Sequence, residues 1–245
     1  EISGRLNMSF SLRVKNEICR YANMSREEAV AELSAIMKVS GTLLLGGIKK
    51  FGFKIITENA PTARFLFKLL KDKFDIHTKI LAKRSNSLKK NHIYEIIISE
   101  DGKVRGLLKE VGILKEEGDI FSLDYSIPRD MVRTDLLKRA YIRGAFLGGG
   151  SISNPEKTYH LEFVTHNDIY AGDLSSLINE YGLNSKIIQR KNSFIVYIKE
   201  GEQIVNLLSI MGAYSALLKL ENIRIMKDMR NNVNRLVNCE TANLS

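Results

Sequence analysis

The chain has 245 residues, enough to bury a sizeable core as one large domain or as two fused small ones. Lysine and arginine outnumber aspartate and glutamate by 37 to 28, and the net charge of +9 favours a polyanionic partner. Cys19 and Cys239 are the only cysteines, no Cys-x-x-Cys pair exists, and no apolar run approaches the roughly 20 residues of a membrane span, so a disulfide framework, a zinc site and a membrane anchor are excluded.

No signal-peptide pattern is present, and a reduced, cytoplasmic setting is expected. Glu1 to Asn7 precedes Met8-Ser9-Phe10 and reads as a cloning scar to be excluded from fold reasoning. Ser9 to Ala22 carries Phe10, Val14 and Ile18 at four-residue spacing, which predicts an amphipathic helix. Ser25-Arg26-Glu27-Glu28 has the form of a capping box, so a second helix starts there and runs through Leu33, Ile36 and Met37 to Ser40-Gly41. Phe51 to Thr57 is strand-like, and Ala60 to Lys73 is helical with Phe65, Leu66, Leu69 and Leu70 on one face. Two strands, Lys79 to Leu81 and His92 to Ser99, are expected on either side of a basic loop from Lys83 to Asn91. Lys103 to Val111 is a helix that Gly112 would cap. Glu116 to Arg129, with Gly118 and Pro128, reads as a connector.

Beyond the connector the same order returns. Helix Thr134 to Leu147, strand His160 to Thr165 and helix Asp168 to Tyr181 come first. Strands Lys186 to Arg190 and Phe194 to Lys199 and helix Glu202 to Met211 follow, and a tail helix starts at Leu218. The residues repeat as well as the order. Gly41-Thr42-Leu43 returns as Gly150-Ser151-Ile152, Thr57-Glu58-Asn59 as Thr165-His166-Asn167, and Thr78-Lys79-Ile80 as Ser185-Lys186-Ile187. The offset shortens smoothly, mostly where Arg84 to Asn91 has no counterpart, which is how a duplicated unit with one extra loop behaves. The expected fold is therefore α+β, with two pseudo-symmetric lobes of order αββαββα and a C-terminal helix. Its parts would be a first lobe over 8–115, a connector over 116–130, a second lobe over 131–214 and the tail over 215–245. Helices on one face of each sheet leave the other face open, and a two-fold molecule suits a two-fold ligand such as duplex DNA.

Ile142-Arg143-Gly144-Ala145-Phe146-Leu147-Gly148-Gly149-Gly150-Ser151 resembles the LAGLIDADG motif of homing endonucleases, and Leu33 to Gly41 resembles a worn copy. The resemblance implies that these two helices pack at the lobe interface, through Ala35, Gly41, Gly144, Ala145, Gly148 and Gly150. It also implies an acidic metal ligand just before the last glycine of each motif. Ser40 and Gly149 stand at those positions and offer no anionic oxygen, so neither a catalytic metal site nor any other cofactor is expected.

A second resemblance covers Met8 to Ser245. Met8-Ser9-Phe10-Ser11, Val14-Lys15-Asn16-Glu17, Arg84-Ser85-Asn86, Asn154-Pro155-Glu156-Lys157, His160-Leu161-Glu162 and Asn238-Cys239-Glu240-Thr241-Ala242-Asn243-Leu244 are similar to stretches of the WhiA family of bacterial regulators. That likeness implies a non-catalytic, DNA-associated transcription regulator of sporulation or cell division, monomeric and nucleoid-associated. It also implies a helix-turn-helix domain beyond Ser245. The alternative is a protein-interaction platform that leaves DNA recognition to that domain.

For duplex contact the residues singled out are Lys83, Arg84, Lys89 and Lys90 of the basic loop and Arg190 and Lys191 at the equivalent turn, because cations beside short polar donors are the usual phosphate contacts. A solvated hairpin with incidental charge is the plain alternative. His160, Glu162 and His166 alternate and share a face, but no further ligand accompanies them and a metal site is not expected.

Overall fold

A computed structural model describes residues 8–21, 24–46, 50–84, 92–99, 101–117 and 120–243. The first lobe comprises α2 (Arg26–Ser40), β1 (Gly41–Gly46), β2 (Lys50–Thr57), α3 (Ala60–Phe74), β3 (Lys79–Arg84), β4 (His92–Ile98) and α4 (Asp101–Glu110), with α1 (Phe10–Ile18) ahead of it. A hairpin of β5 (Leu114–Glu117) and β6 (Ile120–Leu123) follows, and then a short 3-10 turn, Arg129–Val132. The second lobe repeats the order as α5 (Asp135–Gly149), β7 (Gly150–Ile152), β8 (Leu161–Thr165), α6 (Asp168–Asn179), β9 (Lys186–Arg190), β10 (Ser193–Ile198) and α7 (Gly201–Ile210). The chain closes with α8 (Tyr214–Asn243).

The two sheets are antiparallel and wired alike, β1-β2-β4-β3 and β7-β8-β10-β9. The likeness extends to single residues. The Asn59 amide donates to the Thr57 hydroxyl at 3.2 Å, and the Asn167 amide to the Thr165 hydroxyl at 3.4 Å. Gly112 and Gly212 both end their helices at positive φ, +66° and +75°, where a Cβ would crowd the next carbonyl. Alternation buries Phe53, Ile55, Ile96 and Ile98 on the helix side of one sheet, and Leu161, Phe163, Val196 and Ile198 on that of the other. All eight side chains join one apolar cluster that runs from Phe10 to Leu220 across both lobes.

Ser25 caps α2 with the reciprocal Glu28 contact that its sequence announces. Elsewhere the elements differ from expectation. The first helix stops at Ile18 rather than Ala22, because the Arg20 and Tyr21 amides turn back to the Glu17 and Ile18 carbonyls. β3 runs on to Arg84, paired through to His92, so Lys83 and Arg84 belong to a strand and not to a loop. Part of the expected connector folds as the β5–β6 hairpin, held by the Lys115–Asp124 ion pair at 2.5 Å. The tail helix starts at Tyr214 instead of Leu218, for its first amides find a carboxylate on α1.

Candidate nucleic-acid interface

α2 and α5 make the most extensive helix contact among the described residues. Gly144 lies against the Glu32 carbonyl, where a Cβ would sit far inside van der Waals contact, and the Ala35 methyl would be 3.0 Å away. A Cβ on Gly148 would come within 3.0 Å of the Val39 Cβ. Ala35 and Ala145 are fully buried. Gly41 and Gly150 behave differently. Their missing side chains would meet Phe53 and Phe146 of their own lobes, so these glycines serve the helix-to-strand bend rather than contact between lobes.

One charge pair crosses this seam. The Arg143 Nε and Nη2 both donate to Glu32 Oε2, at 3.2 and 3.0 Å, with Glu28 at 4.0 Å and the Tyr21 ring 4.3 Å from the guanidinium. Glu32 Oε1 is buried without a hydrogen-bond partner. Burial pushes the Glu32 carboxyl up to about 7 against the pull of Arg143.

The ends of these helices are where the resemblance implies metal ligands. The Ser40 hydroxyl donates to the Ile36 carbonyl at 2.9 Å. Gly149 lies against the Val164 carbonyl and the Val39 side chain, so even a methyl group at this position would collide. Lys15 on α1 donates to the Leu147 carbonyl at 3.3 Å, placing an ammonium in the last turn of α5 where the helix dipole is negative. Burial draws the Lys15 pKa down to about 8. Sequence reading missed Lys15, which looks like any surface lysine of an amphipathic helix. Among the described residues no three His, Cys, Asp or Glu side chains gather as a metal site.

The sheet faces turned away from the helices carry cations at matched places. Register puts Lys79 opposite Ile97 and Lys83 opposite Ile93, while Lys186 faces Tyr197 and Arg190 faces Ser193. The repeat makes Lys79 equivalent to Lys186, and four residues on, Lys83 equivalent to Arg190. All four are exposed. Lys79 and Lys186 were not singled out from sequence, although the internal repeat combined with period-two alternation marks both. Near the centre of each face lies a carboxylate. Glu95 accepts from Lys83 at 2.9 Å, a bond that holds its pKa below the usual carboxylate value. Glu162 bonds His160 at 3.0 Å and accepts from Ser151 at 3.1 Å, and the His160 ring lies 5.8 Å from that of Tyr197.

The residues expected to contact phosphate are thus partly divided. Lys83 lies on the open face with its charge shared by Glu95, whereas Arg84, its strand neighbour, is on the helix-side parity. Arg190 is on the open face of the second lobe, and Lys191 occupies the turn at φ 52°. Lys89 and Lys90 lie outside the described residues. His166 sits past the end of β8, bonded to the Asn192 carbonyl and the Ser193 hydroxyl at 3.2 Å, apart from the His160–Glu162 pair.

Comparison with known proteins gives one consistent answer. Residues 26–114 match the WhiA N-terminal LAGLIDADG-like domain, and residues 138–230 the WhiA LAGLIDADG-like domain. A relative named probable cell division protein WhiA from Clostridium botulinum (strain Hall) is 69% identical over 238 residues, covering 97% of this chain and 75% of its own. One of the same name from Clostridium acetobutylicum is 66% identical over the same shares. The full-length DUF199/WhiA crystal structure from Thermatoga maritima superposes with a TM-score of 0.72 at 23% identity, over 96% of this chain and 73% of that one. Mesophilic variants of the homing endonuclease I-DmoI superpose at 0.52 and 14% identity, over 76% and 97%. These structural likenesses carry the fold, two LAGLIDADG-like lobes.

Proposed function

Because the chain belongs to the WhiA family, whose relatives are named probable cell division proteins, we propose that it is a non-catalytic, DNA-associated transcription regulator acting in sporulation or cell division. The observation that carries the reading is the matched quartet Lys79, Lys83, Lys186 and Arg190. Duplication has left each open sheet face with two cations four residues apart on one strand, about 13 Å along it. Charges in two-fold arrangement suit the two backbones of a duplex, and phosphate contacts orient a protein without reading sequence. I-DmoI, a protein of the same fold, has been crystallised in complex with DNA and Mn, which agrees with a DNA ligand for this chain. In the proposal the protein works as a monomer in the cytoplasm, on the nucleoid.

Loss of nuclease chemistry belongs to this reading. The two motif ends offer a serine hydroxyl and a glycine with no room, and a lysine ammonium already occupies the last turn of α5. A divalent cation there would meet a like charge, and neither Ser40 nor Gly149 supplies a carboxylate to hold it.

The test is duplex titration across salt concentrations, comparing the parent chain with Lys186→Glu/Arg190→Glu and Lys79→Glu/Lys83→Glu. Each pair should weaken binding to all sequences alike and make the salt slope shallower by about one unit for each phosphate no longer neutralised. An unchanged slope in a folded variant overturns direct duplex contact. Glu95 and Glu162 favour a second reading in that event. Each breaks the positive face near its centre, as a surface built for a protein partner would allow.

A further inference from the structure

Three cavities open on a surface that contains no strand residue. One of about 450 Å³ lies between α3 and the turn after α1, with Met24, Phe65 and Leu69 on its floor. A second, about 310 Å³, lies between α1 and the start of α8, over Phe10 and Ala216. The third, about 550 Å³, follows α8 past Ile223 and Met226 beside Glu156. Arg20 lines the first and second, and Lys219 the second and third. The three are therefore one trough running from α3 across α1 and along α8.

The trough is apolar below and cationic at the rim. Lys68, Arg13, Arg20, Lys219 and Arg230 line it, and none of them forms an ion pair among the described residues. Its other lysines are occupied. Lys73 donates to the Met24 carbonyl and Lys227 to the Pro155 carbonyl, each at 2.8 Å. Of its carboxylates, Glu17 spends both oxygens on α8 amides, leaving Asp72 in the first cavity and Glu156 in the last. Past the third cavity the free face of α8 continues with Met229, Val233 and Leu236, each more than half exposed.

We propose that this trough docks an acidic, amphipathic segment of a partner protein. Carboxylates along such a segment answer the row of open cations, and its apolar side covers Met8, Phe65, Ile223 and Met226, of which the methionines adapt to varied side chains. A nucleic-acid backbone would meet the cations yet leave Phe65, Ile223 and Met226 against water. A second copy of this chain, itself carrying +9, would bring like charge to the rim. The site shares no residue with the strand faces, so it stands independently of duplex contact.

The test is selection of displayed random sixteen-residue peptides on the parent chain and on Arg20→Glu/Lys219→Glu. Peptides enriched on the parent should be acidic and amphipathic, and a chosen one should bind the double variant at least about tenfold more weakly by fluorescence anisotropy. Arg230→Glu, on the exposed part of α8, should weaken it too with the fold intact, while Lys186→Glu/Arg190→Glu should leave it unchanged. Enriched peptides without acidic bias, no enrichment, or equal binding to the rim variants overturns the proposal. Displacement of the peptide by duplex DNA overturns it as well and assigns the trough to nucleic acid.

Discussion

The Glu17 carboxylate accepts the Ser215 amide at 2.6 Å, across 198 residues of chain, and its second oxygen accepts the Ala216 amide at 3.0 Å. Two of the unpaired donors at the start of α8 are thereby satisfied by a charge on α1, which suits the positive end of the helix dipole. Glu17→Gln should cost about 1 kcal/mol and speed hydrogen exchange at Ser215 and Ala216. Unaltered protection there would show that the cap does not fix α8.

The Glu32–Arg143 pair should make stability depend on pH. The Glu32 carboxyl is raised to about 7 in the folded chain, so between the ordinary glutamate value and about 7 the folded state holds a proton that the unfolded state has released. Stability from this group is full below about 4.5 and is lost as pH rises through about 7, by up to about 3 kcal/mol. Denaturant titrations from pH 5 to 8 should show that decline, and Glu32→Gln, which imitates the protonated form, should flatten it. A parallel profile in the variant would place the pH dependence elsewhere.

Rebuilding the motif acids should not rebuild an enzyme. Gly149→Asp forces a side chain against the Val164 carbonyl and Val39, and overpacking of this kind costs roughly 1–3 kcal/mol or more. Neither the parent chain nor Ser40→Asp/Gly149→Asp should nick supercoiled DNA with magnesium or manganese. The melting temperature should fall in every variant at Gly149. Metal-dependent nicking abolished by a seam substitution would refute this.

The segment between the lobes is strapped from both sides. Lys38 on α2 donates to the Ser126 carbonyl, and Asp173 on α6 accepts the Ile127 amide at 2.8 Å. Asp173→Ala removes one strap and leaves a backbone donor unpaired, costing about 1–3 kcal/mol. Faster exchange at the Ile127 amide should accompany the loss, and an unchanged exchange rate would mean that the amide is protected by other means.

What sequence revealed was local or repeated. The Ser25–Glu28 cap lies within four residues, Gly112 comes two residues after its helix, and the duplication can be read by sliding the chain along itself. The polar pairings that shape the site join distant residues through packing. Lys83 finds Glu95 only once β3 and β4 are in register, and the basic loop expected there loses its first two residues to the strand. Glu32 and Arg143 are 111 residues apart, each in a stretch of small and apolar residues; a lone charge in such a stretch was the available signal. Lys15 and Lys38 resemble solvent-facing lysines until another element closes over them.

The quartet on β3 and β9 has another consequence. Both are the outermost strands of their sheets, and every residue of β9 is exposed, so each offers a ladder of unpaired amides and carbonyls on which a second chain could add a strand. Lys79, Lys83, Lys186 and Arg190 make that addition repulsive, since an approaching copy would bring the same charges. The charges proposed to hold DNA are also a guard against stacking. Neutralising them should therefore produce a protein that clumps at its sheet borders, and loss of DNA affinity has to be measured on freshly isolated monomer to be told apart from that.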